Sequence, residues 1–139
     1  MPALPLTGGC LCGGVRYEID APLVSASYCH CTRCQRRSGA AASAQARVVP
    51  GSLRLVAGAE LVREWAPADG WPKCSCSVCG GQLWSRDPAD PSALSVRLGT
   101  FDDDPGIRPQ WRQYVAYAAS WEPIPDDGLP RYPEGRTAR

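Results

Sequence analysis

The sequence predicts a mostly-β fold, and three of its features support that prediction. Short segments in which apolar and polar residues alternate recur along the chain, as is typical of strands with one buried face. Glycine and proline are frequent, with 14 of each among 139 residues, so turns are many and helices short. Turn signals recur about every 8–12 residues, a spacing typical of all-β domains. The length suits one compact domain.

The first half of the chain contains three predicted strands and one short helix. Residues 15–19 alternate, and residues 25–28 form a short strand that delivers the cysteines after it. Thr32 is expected to cap one or two helical turns, which Gly39 ends. The small apolar segment 40–49 is predicted to be a strand.

The second half continues the pattern. Segments 52–56 and 61–65 both alternate and are predicted to pair with each other around residues 57–59. Further strands are predicted at 82–85, 94–98 and 111–117. From Pro123 onward the proline-rich chain is expected to wrap over the surface.

Charge and hydropathy narrow the possible partners and compartment. The net charge is +1, without an acidic or basic block, which argues against nucleic acid or an anionic membrane as the main partner. No apolar run approaches the ~20 residues of a membrane span, and the first residues lack the features of a signal peptide. We therefore expect a reducing cytoplasm. There the eight cysteines favour metal binding over disulfides.

Two runs of cysteines share one spacing and dominate the predicted chemistry. They are Cys29-x-Cys31-x-x-Cys34, which also contains the only histidine, His30, and Cys74-x-Cys76-x-x-Cys79. Disulfides within so short a window would be strained. A thiophilic metal, most plausibly Zn²⁺, holds crowded thiolates together without that strain. The repeated spacing therefore predicts metal binding.

The spacing leaves the number of closed metal sites open. Cys10 and Cys12 lie among glycines, and in an extended strand their thiols would share a face. Eight ligands would complete two tetrahedral sites, whereas seven with one spare would give one closed and one open site. Joining distant cysteines such as Cys12 and Cys76 costs about 4–5 kcal/mol of loop entropy. A structural zinc returns roughly 10–16 kcal/mol, so such a site is feasible.

Three blocks of sequence carry a family resemblance. They are Gly9-Cys10-Leu11-Cys12-Gly13, residues 28–40, and Cys76-Ser77-Val78-Cys79-Gly80. They are similar to blocks of the glutathione-dependent formaldehyde-activating enzyme family, which shares its domain with centromere protein V. The agreement continues at residues 99–105, Trp121 and residues 129–132. The resemblance implies a single domain over residues 1–139 with a core at about 8–133. Its implied fold is an all-β, Mss4-like β-tent of small antiparallel sheets stapled by zinc.

The resemblance also implies two zinc ions and an activity. Four cysteines match the family's structural zinc ligands, namely Cys10, Cys12, Cys76 and Cys79. Three match the ligands of its catalytic zinc, namely Cys29, Cys31 and Cys34. The implied reaction condenses formaldehyde with glutathione to S-(hydroxymethyl)glutathione, which is a carbon–sulfur lyase reaction in reverse. Cys74 lies outside the family pattern. It is either a spare thiol or a fourth ligand that would close the second site.

An open coordination position would accept an incoming thiol and remove its proton. Three arginines lie within or just after the second site and are predicted to anchor the carboxylates of a thiol such as glutathione, namely Arg33, Arg36 and Arg37. His30 lies between two ligands and is expected to point away from them. The main prediction is a zinc-dependent enzyme that joins a thiol to an aldehyde. The alternatives are a non-enzymatic thiol carrier and a purely structural zinc interaction module.

Overall fold

The computed structural model describes residues 2–136 and confirms the all-β, Mss4-like prediction. In chain order, the elements are β1 (Leu6–Gly9), β2 (Arg16–Ile19), β3 (Ser25–Cys29), α1 (Thr32–Ser38), β4 (Ser43–Arg47), β5 (Leu53–Ala57), β6 (Val62–Trp65), β7 (Lys73–Cys76), β8 (Gln82–Asp87), β9 (Asp90–Arg97), β10 (Arg112–Gln113) and β11 (Arg131–Tyr132). Short 3-10 turns lie at Ala59–Leu61, Leu98–Thr100 and Val115–Tyr117. Within the described chain, no helix has the length and apolar character needed to cross a bilayer.

The strands form two sheets of unequal size. One sheet has the order β1-β2-β5, and the other has the order β11-β10-β3-β4-β9-β8-β7-β6. Most neighbours pair antiparallel, but β10 lies parallel to both β3 and β11. The sheets therefore differ from the expected set of small antiparallel sheets in two respects. One sheet is large, and two of its pairs are parallel.

One face of the eight-stranded sheet is apolar and packs into the core. A row of residues lies in register across five strands, namely Ala26, Ala46, Val96, Trp84 and Cys74. All five are buried. Since successive side chains of a strand point to opposite faces, their neighbours must lie on the other side of the sheet.

The opposite face of the same sheet is polar and cationic. One row in register contains Ser25, Arg47, Ser95, Ser85 and Lys73. A second row contains Ser27, Gln45 and Arg97. An exposed antiparallel sheet is expected to show such a polar face, but this one also carries three cations, namely Arg47, Lys73 and Arg97.

Tyr17 joins the two sheets. Its ring is fully buried and lies edge-on to Trp84 at 6.2 Å and to Phe101 at 5.9 Å between centroids. Its hydroxyl lies 2.6 Å from Thr100 Oγ1, which itself donates to the Arg97 carbonyl at 2.7 Å. The Tyr17 hydroxyl is therefore the donor to Thr100. One side chain of the small sheet thus packs on the large sheet and bonds to the turn after β9.

The predicted pairing of segments 52–56 and 61–65 is wrong. Strand β5 pairs with β2 in the small sheet, whereas β6 pairs with β7 in the large one. The chain changes sheet at Gly58, which has φ +77° and begins a 3-10 turn. A Cβ at Gly58 would collide with the Gly14 carbonyl, so only glycine fits this crossing.

Several predicted boundaries also change. The strand predicted at 40–49 is shorter in the structure, where it is β4. The strand predicted at 111–117 is only β10, because Tyr114 has a left-handed backbone with φ +56° that ends it. The helix cap is Cys31 rather than Thr32, because the Cys31 thiol accepts the Cys34 N–H at 3.3 Å. Gly39, with φ +71°, ends the helix as predicted.

Removing the Tyr17 ring should destabilise the protein far more than removing its hydroxyl. We expect Tyr17→Ala to lower the free energy of unfolding by about 3–5 kcal/mol, because it leaves a cavity between the sheets. Tyr17→Phe should cost about 1 kcal/mol, since Thr100 keeps its bond to Arg97. Denaturant unfolding of the metal-loaded protein measures both values. Equal losses would contradict the packing role of the ring.

Candidate functional site

Four cysteines from two distant parts of the chain meet in a first cluster. The Sγ atoms of Cys10, Cys12, Cys76 and Cys79 all lie within 4.8 Å of one another. The Cys10–Cys12 and Cys12–Cys76 sulfur distances are 3.6 and 3.9 Å. A tetrahedron with Zn–S bonds of about 2.3 Å requires sulfur separations of about 3.8 Å. The cluster therefore fits a tetrahedral metal ion such as Zn²⁺.

Every sulfur of the first cluster accepts a backbone N–H. The donors are Val15 to Cys10 at 3.2 Å, Gly14 to Cys12 at 3.4 Å, Val78 to Cys76 at 3.4 Å and Gly81 to Cys79 at 3.4 Å. The N–H groups of Cys12 and Gly81 lower the pKa of Cys79 to about 6. Such bonds stabilise thiolates and orient them toward a metal.

Cys10 and Cys12 reach this cluster through a turn. Strand β1 ends at Gly9, and the Gly13 N–H donates to the Cys10 carbonyl at 3.1 Å. The expectation that both thiols project from one face of an extended strand is therefore wrong. The turn brings the Gly14 N–H to the Cys12 sulfur and the Val15 N–H to the Cys10 sulfur.

Three cysteines form a second cluster. Cys29 ends β3, Cys31 caps α1, and Cys34 lies in the first turn of that helix. Their Sγ atoms also lie within 4.8 Å of one another. Across residues 2–136, no fourth His, Cys, Asp or Glu joins them. The donor set fits a thiophilic ion with three protein ligands and a remaining coordination position.

His30 points away from the second cluster. It is buried, and its Nε2 lies 3.2 Å from Arg112 Nη1. Burial, followed by the charge of Arg112, lowers the pKa of His30, so the ring is neutral and Nε2 accepts this bond. Arg112 also donates to Asp127 at 2.8 Å and stacks over Tyr28 at 4.2 Å. The hydrogen bond between His30 and Arg112 thus holds the cysteine-bearing loop on the side away from the cluster.

Cys74 belongs to neither cluster. It lies on the apolar face of the large sheet, where its Sγ is 3.8 Å from Glu64 Oε1 and burial raises its pKa. Its neighbour Lys73 points to the opposite, polar face. The possibility that Cys74 closes the second site is therefore not realised in the described chain, and Cys74 is the spare thiol.

The second cluster opens onto a cavity of about 910 Å³, which Cys29 and Cys34 help to line. Binding sites for small molecules commonly measure about 300–1,000 Å³. The lining contains five cationic side chains, namely Arg33, Arg47, Lys73, Arg97 and Arg136. Among the described residues that line it there is no Asp or Glu. The cavity is therefore suited to an anionic ligand.

Arg97 connects the cavity to the thiols. Its Nη1 donates to Gln45 Oε1 at 2.8 Å, while its buried Nε has no hydrogen-bond partner. Contacts with the thiols of Cys29 and Cys31 lower the pKa of Cys34, and nearby Ser43 and Arg97 lower it further. The same crowding raises the pKa of Cys29. Without a bound cation, the three thiols therefore cannot all ionise together.

The three arginines predicted to bind substrate occupy different positions. Arg33 lines the cavity and donates to Asp69, to both its carboxylate and its carbonyl at 2.7 Å. Arg36 is exposed on the helix and is not part of the lining. Arg37 donates to Ser85 Oγ at 3.1 Å and to the Cys74 carbonyl at 3.0 Å. Only Arg33 of the three borders the cavity.

Sequence reasoning missed three cations of the polar sheet face, namely Arg47, Lys73 and Arg97. Arg97 alternates with Leu94, Val96 and Leu98, a pattern that places it opposite the apolar face. The alternation shows on which face of the strand Arg97 lies. It does not show that Arg97 lies near Cys29, because the order of strands in the sheet cannot be derived from the pattern of one segment.

Replacing Arg37 should weaken the fold, whereas replacing its neighbour Arg36 should not. Arg37→Gln removes partly buried charge-assisted hydrogen bonds that tie α1 to β7 and β8, at a cost of roughly 1.5–3 kcal/mol of unfolding free energy. Arg36→Gln is the matched exposed control, and surface changes usually stay within about 0.5 kcal/mol. Thermal or denaturant unfolding gives both numbers. Equal stability of the two variants would contradict a stabilising role for the hydrogen bonds of Arg37 to β7 and β8.

Comparison with known proteins agrees with this geometry. The family model described as glutathione-dependent formaldehyde-activating enzyme matches residues 5–117. A crystal structure of a Rhodobacter sphaeroides protein has a TM-score of 0.58 and 22% identity, covering 91% of this chain and 98% of that chain. At that identity the likeness shows a shared fold. A search of the curated proteins gives no match. Because the family model spans most of the chain and both cysteine clusters, the chain belongs to the glutathione-dependent formaldehyde-activating enzyme family.

Proposed function

We propose that this protein is a zinc-dependent enzyme that adds a thiol to an aldehyde and reverses that addition. The family implies glutathione and formaldehyde as substrates, and the reaction class is that of a carbon–sulfur lyase. The observation that carries the proposal is the three-cysteine cluster opening onto a cationic cavity. The sulfur of a thiol would bind a metal ion at the cluster, and the carboxylates of the same molecule would bind the cations of the cavity.

The two clusters would have different roles. Cys10, Cys12, Cys76 and Cys79 would hold a structural zinc, since four thiolates complete its sphere and each has an N–H donor. Cys29, Cys31 and Cys34 would hold the catalytic zinc. A zinc ion there supplies an open coordination position and lowers the pKa of a thiol bound at it. Three thiolate ligands donate strongly, which favours holding a thiol over activating water.

The cations of the cavity would hold the rest of the thiol. Glutathione carries two carboxylates, and arginine binds carboxylates through paired N–H donors. Arg47 lies over the Trp71 ring at 4.5 Å, and Arg136 lies over Trp111 at 3.8 Å. Stacking restricts the guanidinium planes before a ligand arrives. Fixed planes lower the entropy cost of orienting a flexible thiol, so its sulfur reaches the cluster in one geometry.

The proposed activity suits the surroundings predicted from composition. A reducing compartment such as the cytoplasm would keep the cluster thiols available for metal. The partners are a small thiol and an aldehyde, with no nucleic acid or membrane. The chain would act as a single domain with its core at about 8–133.

Cys31→Ser should remove the activity without unfolding the protein. Serine keeps a good helix cap at position 31, but the second zinc loses a thiolate ligand. We expect zinc content to fall from two ions to one per chain and adduct formation to fall to the spontaneous rate. Cys74→Ala is the matched cysteine control and should keep both properties. Metal analysis with a stopped-flow assay of glutathione and formaldehyde tests this.

Two results would contradict the proposal. One is full activity in Cys31→Ser. The other is wild-type protein that binds glutathione without accelerating the reaction, which would support the thiol carrier instead.

Arg47→Gln should weaken the binding of charged thiols selectively. We expect KM for glutathione to rise about tenfold, which corresponds to about 1.4 kcal/mol, because one carboxylate partner is lost. KM for an uncharged thiol such as 2-mercaptoethanol should not change. Arg63→Gln, on the exposed edge strand β6, is the matched control. A parallel rise for both thiols would indicate a structural effect and contradict anion recognition.

A further inference from the structure

Lys73 is the only lysine of the chain, and it lies in the cavity beside the three-cysteine cluster. Strand β7 places it opposite Ser85, in the polar row that faces the cavity. Its side chain is partly buried, whereas the next residue, Cys74, faces the core. The single side-chain amine of this protein is therefore held where an aldehyde would be used.

The groups that face Lys73 are cations and thiols. Arg37, from α1, and Arg97, from β9, act on it as like charges, while Cys31 and Cys34 act as opposite charges when ionised. No ion pair among residues 2–136 involves Lys73. Burial, followed by Arg37 and Arg97, lowers the pKa of Lys73. A desolvated lysine beside other cations is a recognised form of activated amine nucleophile.

We propose that Lys73 Nζ captures the aldehyde covalently and holds its carbon beside the cluster formed by Cys29, Cys31 and Cys34. The inference rests on the proposed function in taking an aldehyde as the ligand and, for the protection experiment below, in taking a molecule like glutathione as the occupant of the cavity. It adds a covalent site to a cavity that would otherwise bind only the thiol.

The chemistry balances without a further reactant. The Nζ lone pair adds to the carbonyl carbon, the C=O π electrons move to oxygen, and a proton passes from nitrogen to that oxygen. The hydroxyl then leaves as water, taking up the proton that, during turnover, the thiol releases as it becomes a thiolate, and an iminium ion remains on Nζ. A thiolate then adds to the iminium carbon, so that a C–S bond forms and the C=N π electrons return to nitrogen. Water replaces the amine, which releases the hydroxymethyl thioether and restores Lys73.

The test is reductive trapping of the zinc-loaded protein. Low formaldehyde with cyanoborohydride converts an iminium ion into a methylated amine, which peptide mass mapping locates. The reference is the Arg63→Lys variant, which adds an exposed amine on the edge strand β6 of the same chain. We expect Lys73 to be methylated at least about fivefold faster than the amine at position 63. The reason is geometric, because Lys73 lies inside the cavity beside the cluster, whereas position 63 lies on an exposed edge strand outside the cavity lining.

A second measurement separates a cavity site from an ordinary reactive amine. S-methylglutathione has the carboxylates of glutathione but no thiol, so it should occupy the cavity without reacting. We expect it to slow methylation of Lys73 at least about fivefold and to leave the amine at position 63 unchanged. Lys73→Arg keeps the charge and should lose the cavity label.

Methylation of Lys73 no faster than at position 63, or without protection by S-methylglutathione, would overturn the capture site. Trapping needs neither a thiol substrate nor turnover. A protein inactive in the adduct assay but trapped at Lys73 would therefore retain this inference while losing the proposed reaction. An active protein without trapping would do the reverse.

Discussion

The alternation of side chains across the eight-stranded sheet is the constraint on which the rest of the structure depends. It buries one row, from Ala26 to Cys74, in which Trp84 contacts Tyr17, and it places the adjoining residues on the opposite face. Lys73 and Cys74 are neighbours in sequence, yet one borders the cavity and the other the core. Backbone geometry thereby decides which thiols can meet, because a buried register cannot slip by one residue without exposing the apolar row.

The two clusters respond differently to the repulsion between crowded thiolates. In the first cluster, four backbone N–H donors each face one sulfur, so the backbone prepares a closed tetrahedral site. In the second, Cys31 accepts the Cys34 N–H, and Cys34 lies near Arg97. The three thiols crowd one another, and this crowding raises the pKa of Cys29 while it lowers that of Cys34. A metal ion would relieve this imbalance and still leave one position toward the cavity.

Local pattern was sufficient for some features and insufficient for others. The sequence pattern predicted strands β2 and β3, and the repeated spacing of the cysteines predicted metal binding. The residues around those cysteines predicted the family. The partners of β5 and β6 could not be predicted in this way, because Gly58 sends the chain between sheets through a contact with distant Gly14. The role of Arg37 was equally hidden, since its acceptors belong to strands β7 and β8. Long-range register decides these features, and a single sequence does not display it.

The positive charge of the cavity lining suits a ligand that carries negative charge. Five cations border this space, no carboxylate of the described residues lines it, and Asp69 pairs with Arg33 from beyond the lining. The repulsion between these like charges has an electrostatic cost. A thiol with carboxylates offsets that cost at groups remote from its sulfur. In the proposed reaction, binding free energy gained there would hold the sulfur at Cys29, Cys31 and Cys34, within bonding distance of the aldehyde carbon. In that reaction, the cations would act by positioning the thiol, and the cluster would act by setting its protonation state.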